Sequence, residues 1–279
     1  MLRLISHKRS TSVFSGNQHS KHIGTGVEFT NLREYNTNDN ARLIDWKMSA
    51  KSDRVYSREY EESTELKVFL IIEISPSMYF GTNKTTKIHT LIETIETILR
   101  SCDQYNHILG WIIWDQNWLN YISPKWGKYN RYLFSQILEK SLKHPPKISK
   151  TSTKEIIEML IERKITNQLI LYITDNTSIQ EIKKITNLSY MNDFIYINIF
   201  DTMESNISKE FIKSPIRIST NITSNDIGSL AINYQNLRNL SLQKLEHTIK
   251  IIGASYLTIF THQKPSIILE NFFLRRKKH

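Results

Sequence analysis

With Cys102 as its one cysteine in 279 residues, the chain has no intrachain disulfide framework. It is expected to work in a reducing, cytoplasmic compartment, with Cys102 as a packed thiol. With only 8 glycines and 6 prolines, the composition is not that of a linker-rich or disordered chain. Long hydrophobic runs are missing too. Val68 to Ile72 and Leu109 to Trp114 fall far below the roughly 20 apolar residues that a membrane helix needs, so no transmembrane segment is expected. Acidic groups are outnumbered, 27 against 37 basic ones, for a formal charge of +10. That balance favours acidic partners, nucleic acid or an anionic surface without choosing among them. No phosphate-binding G-x-x-x-x-G-K-[ST] loop and no H-E-x-x-H pair occurs, and the 9 histidines lack ligand spacing. His89 and His107 read as polar-surface or helix-end residues.

What is present is an ordinary globular composition, 39% apolar and 23% charged, in a chain long enough for one α/β core and an extra segment. Residues 1–23 carry Arg3, Lys8, Arg9 and Lys21 without the apolar core of a secretory signal, and they are expected to be a basic flexible arm in preference to a transit peptide. Residues 24–65 form a loop-rich extension with short extended pieces, and residues 66–279 form the main domain.

Val68 to Ile72, Leu169 to Ile173 and Phe194 to Phe200 read as fully buried strands. Ile88, Leu91, Ile92, Ile95, Ile98 and Leu99 form a helical stripe, which leaves Lys87, Glu93 and Glu96 facing water. Ile108 to Trp114 and Trp118 to Ile122 are joined so closely that they must be antiparallel, which gives one edge hairpin. Helical stripes also run through Tyr129 to Leu138, ending before Pro145-Pro146, and through Ile156 to Ile161, Ile179 to Ile185 and Leu237 to Ile249, the last closing near Gly253. Strand Tyr256 to Phe260 and a helix around Ile267 to Phe273 complete the chain, and the tail Arg275 to Lys278 reads as a solvated helix end. Strands alternating with helices imply a doubly wound, mostly parallel sheet covered on both faces, with one antiparallel edge strand.

In such a sheet ligands bind beyond the carboxyl ends of the strands, where Glu73-Ile74-Ser75-Pro76-Ser77 falls. A carboxylate and two hydroxyls two residues apart offer hard oxygen donors suited to Mg²⁺ or Mn²⁺. Asp175 closes a second strand at the same edge, and Thr151, Ser152 or Thr153 adds a hydroxyl, with Thr153 preferred. The alternative for these loops is helix capping.

The pattern resembles the metal-ion-dependent adhesion site of von Willebrand factor A domains. Upstream, Gly26-Val27-Glu28-Phe29 and Leu32-Arg33-Glu34-Tyr35 continue into Asp39, Arg42, Ile44-Asp45-Trp46 and Ser49-Ala50-Lys51. This string resembles the signature of the domain-of-unknown-function family 58, which stands directly before an A-type domain. Three departures are Glu73 for aspartate, Asn38 for glycine and Lys51 for arginine. The longer arm of Glu73 pushes its carboxylate outward, which weakens a Mg²⁺ site or turns a water-mediated contact into a direct one. Arg33, Tyr35, Asp39, Arg42, Asp45 and Trp46 are expected either to bind a partner or to anchor the segment, by an ion pair and an apolar plug.

The resemblance implies a non-enzymatic interaction module with a degenerate adhesion site, working as an adaptor between a MoxR-type AAA+ ATPase and an unknown client protein. No nucleic acid partner is expected. The alternatives are a metal-dependent hydrolase of phosphorylated substrates, using Asp175 and the serine loop, and salt-sensitive nucleic-acid binding by the basic surface.

Overall fold

The computed structural model describes residues 2–6, 27–36, 41–62, 66–79, 81, 85–115, 118–125, 128–143, 153–175, 185–201, 204 and 239–277. The chain forms two compact units, Ser12–Glu65 and Met1–Thr11 with Leu66–His279. In the smaller unit β1 (Val27–Glu34) pairs antiparallel with β2 (Tyr56–Glu62), so that Arg33 stands opposite Ser57. A short helix α1 (Trp46–Ser49) lies between them in sequence. Asp45 caps it by accepting from the Met48 N–H at 3.0 Å, which satisfies one of the open donors of the first turn.

The larger unit continues with β3 (Lys67–Ile74), α2 (Lys87–Gln104), β4 (Ile108–Asp115), β5 (Trp118–Lys125), α3 (Lys128–Lys143) and α4 (Thr153–Glu162). Then come β6 (Leu169–Thr174), α5 (Thr186–Met191), β7 (Asp193–Phe200), α6 (239–251), β8 (Ser255–Phe260) and α7 (Pro265–Lys277). The six strands lie in the order β5-β4-β3-β6-β7-β8. All pairs are parallel except β4 with β5, the expected edge hairpin. The chain moves outward from β3 to β5 and then returns to β6 on the other side. The order therefore reverses between β3 and β6, and the crevice of a doubly wound sheet opens at that point.

Alternation along the strands divides the core into two layers. Val68, Leu70 and Ile72 face α2, α3 and α7 through Leu91, Phe134 and Phe273. Phe69 and Ile71 face α4, α5 and α6 through Leu160, Leu188 and Leu245. Cys102 is a buried thiol in the first layer. Gly253 closes α6 with φ at +74°, the left-handed conformation that glycine adopts without strain. The stripe expected from Ile179 to Ile182 lies outside the described residues.

Two expectations are corrected. The start of the chain is not a free arm, because Leu2 and Leu4 are buried in the first layer and the Leu2 carbonyl accepts from Ser101 Oγ at 3.0 Å. Two leucines removed from water outweigh the pull of neighbouring Arg3 toward solvent. The basic end of α7 is not wholly solvated either. Arg276 is buried, and its Nη2 donates to both carboxylate oxygens of Asp193, at 2.6 and 2.7 Å.

Candidate functional site

Strand β3 runs two residues past its expected end, so Glu73 lies in the strand and not in the loop. Alternation aims it to the same side as Phe69 and Ile71, where β6 presents Tyr172 and Thr174. The Tyr172 hydroxyl and Thr174 Oγ1 both donate to Glu73 Oε2, at 2.8 and 2.7 Å. The outward displacement expected of the longer arm is thus resolved by two hydroxyl donors on the neighbouring strand.

Beyond Ile74 the chain enters a tight 3-10 turn, Pro76–Tyr79, anchored by fully buried Met78. The turn brings Ser75 and Ser77 to Asp175, which directly follows β6. Ser75 Oγ donates to Asp175 Oδ1 at 2.7 Å and Ser77 Oγ to Oδ2 at 2.5 Å, while the two hydroxyl oxygens lie 2.8 Å apart. These residues, separated by about a hundred positions, meet as the sequence suggested.

A fourth member of the cluster is Lys87, which helical spacing alone places in water. Lys87 Nζ stands 3.1 Å from Asp175 Oδ2 and also pairs with Glu204, with its side chain only 2% exposed. Lys87 is the first residue of α2, and helical side chains lean toward the N-terminus, so it reaches back over the loop instead of out from the helix face. A cation is disfavoured at a helix N-terminus and costly to bury, and the two carboxylates offset both terms.

The surrounding loops are tied to one another. Thr261 Oγ1 donates to Asp201 Oδ2 at 3.0 Å, and Thr85 Oγ1 donates to the Thr261 carbonyl at 2.8 Å. A side chain at Gly81 would meet Thr86 Cα at 2.6 Å and the Thr85 carbonyl at 2.7 Å, so the approach to Lys87 admits only glycine there.

Thr153 begins α4, and Thr151, Ser152 and Asp39 lie outside the described residues. In the smaller unit Asp45 accepts from Arg58 Nε at 2.9 Å, and this bond, followed by that from the Met48 N–H, holds its carboxyl below the usual range. Tyr35 donates its N–H to the Val55 carbonyl at 2.8 Å, and Arg33 and Arg42 are exposed. Trp46 is 69% exposed. His89 sits at the start of α2, where its Nδ1 lies 2.7 Å from Thr86 Oγ1. His107 is at the end of α2, the second of the two expected placements, where its N–H donates to the Cys102 carbonyl at 2.9 Å; it is buried, and its Nδ1 accepts from the Leu66 N–H at 3.3 Å.

A divalent cation is implied by the adhesion-site pattern, and the donors present do not fit one. The serine oxygens have the spacing of adjacent ligands, since a 2.0–2.1 Å bond length places octahedral neighbours about 3 Å apart. Their carboxylate, however, already holds an ammonium. An ion bound directly to the oxygen that Lys87 contacts would stay within about 5 Å of Nζ, a repulsion of about 6–7 kcal/mol at an effective dielectric of 20. Glu73 is committed to Tyr172 and Thr174, and among the described residues no group of three His, Cys, Asp or Glu side chains is placed to hold a metal.

The central β3, the antiparallel edge and the serine and aspartate loops at the carboxyl edge define a von Willebrand factor A-like domain preceded by a separate two-stranded unit. Residues 31–212 match the family described as "Protein of unknown function DUF58", and the chain belongs to that family. Similar solved structures include the VWA domain of SpRpn10, at 13% identity over 74% of this chain and 94% of that one, with a TM-score of 0.41. Another is an aerotolerance-related membrane protein from Bacteroides fragilis, at 15% identity over 77% and 100%, with a TM-score of 0.46. No curated protein matches the sequence.

Proposed function

We propose that this chain is a non-enzymatic protein–protein interaction module that works with a MoxR-type AAA+ ATPase, as an adaptor in chaperone-like assembly or maturation of a client protein. ATP belongs to the partner. The observation that carries the reading is the preformed cluster of Ser75, Ser77 and Asp175 at the crevice, with Ser77 exposed above a buried ion pair. Each serine gives its proton to a carboxylate, and that carboxylate is engaged by Lys87, so the arrangement orients the hydroxyls without supplying a free base to activate one. Membership of the family gives the ATPase its place in the proposal. The smaller unit adds exposed Leu43, Trp46, Met48 and Val55, the kind of apolar surface that partners cover.

The test is co-purification of a MoxR-type ATPase on the immobilised chain. Capture by the wild type that drops with Ser75→Ala plus Ser77→Ala, at unchanged melting temperature, supports the reading. No capture, or equal capture, contradicts it. Turnover of phosphate esters with Mg²⁺ or Mn²⁺ that disappears with Asp175→Asn would put the hydrolase reading in its place.

A further inference from the structure

We propose that the Lys87 ammonium stands in for the divalent cation of this edge, so that Ser75, Ser77 and Asp175 are held in their working arrangement without metal. The inference rests on this edge being the interaction site proposed above.

Three observations carry it. Asp175 Oδ2 receives both Ser77 Oγ and Lys87 Nζ, at 2.5 and 3.1 Å, so the ammonium supplies positive charge at the oxygen beside which a cation would sit. Lys87 is buried at the first position of an 18-residue helix, where the helix dipole and desolvation both oppose a cation. A side chain placed there for packing alone would be apolar. Glu204, in a helical position beyond β7, supplies a second carboxylate to the same ammonium, so that two carboxylates distant in sequence meet at one buried charge.

The arrangement also explains how Glu73 is tolerated. With the positive charge covalently fixed, the strand-end carboxylate has no metal shell to complete. It is free to bind the Tyr172 and Thr174 hydroxyls on the opposite face of the sheet. Ser75 and Ser77 direct their protons inward to Asp175, and their outward lone pairs remain for a partner's donor.

The experiment is titration of the purified full chain with MnCl₂ and MgCl₂, followed by calorimetry and by thermal melting, with EDTA-treated protein as reference. Because it needs no ATPase, its outcome is independent of whether that partner binds. The wild type is expected to show no saturable uptake and no shift of the melting temperature. Lys87→Met is expected to gain Mn²⁺ affinity by at least about tenfold, through loss of a like charge beside the carboxylates, and to lose that gain when Asp175→Asn is added. If Lys87→Met does not fold, Lys87→Met with Glu204→Gln removes one charge of each sign but keeps Asp175, and it is expected to show a smaller gain that is still above the wild type. Saturable Mn²⁺ binding by the wild type that Asp175→Asn abolishes overturns the proposal. So does a folded Lys87→Met chain that takes up no Mn²⁺.

Discussion

Lys87 and Asp175 form an ion pair at 3.1 Å in which each side chain is only 2% exposed. Desolvation of both groups makes the pair a poor source of net stability, yet either one left alone is an uncompensated buried charge. Lys87→Met and Asp175→Asn are each expected to destabilise the chain by about 3–5 kcal/mol in urea unfolding. The double variant should recover part of that loss, because the two sites share one interaction. Strict additivity would show that the pair is not coupled.

His107 makes stability depend on pH. Burial, with Arg3 as a second cause, lowers its pKa from the ordinary 6.5 to about 4. Protonation would also remove the acceptor of the Leu66 N–H. Between those values the unfolded chain binds a proton that the folded chain refuses. The contribution is therefore full above about pH 6.5 and is lost as pH falls toward 4, amounting to about 2–3 kcal/mol. Urea midpoints across this window should fall with pH in the wild type and less steeply in His107→Gln.

Arg276 fastens α7 to the start of β7 through Asp193 and donates to Ser255 Oγ at 2.7 Å. Arg276→Met leaves Asp193 buried without its cation and is expected to cost about 3–5 kcal/mol. Exposed Arg275→Met should stay within about 0.5 kcal/mol. Equal midpoints for the two variants would show that the buried pair contributes nothing particular.

The N-terminal residues are expected to behave as core. Leu4, 3% exposed, should cost about 2–5 kcal/mol on Leu4→Ala in the same unfolding assay. A flexible arm would leave the midpoint unmoved.

Much of the fold was legible because its strands are unbroken apolar runs. The stretches Leu169 to Ile173 and Phe194 to Phe200 are buried throughout, and the short connection from β4 to β5 permits only a hairpin. Asp175 and the serines could be brought together because topology alone fixes which strand ends are neighbours. What escaped was direction and exact strand length. Lys87 reads as a polar position on an amphipathic helix, but at the first position its side chain points off the end of the helix. Two more strand residues send Glu73 to the opposite face from Asp175. Arg276 hides in a basic run in which nothing local separates the buried arginine from exposed Arg275. Leu2 and Leu4 are too few to form a periodic pattern.

The most direct test of the account is the affinity of a MoxR-type ATPase for the immobilised chain, measured by interferometry on the wild type, Ser75→Ala with Ser77→Ala, and Glu96→Ala on the outer face of α2. The account predicts saturable binding by the wild type, a loss of at least about tenfold in the serine variant, equivalent to about 1.4 kcal/mol, and no change in Glu96→Ala. Equal affinity for all three chains, or no binding by the wild type, would contradict it.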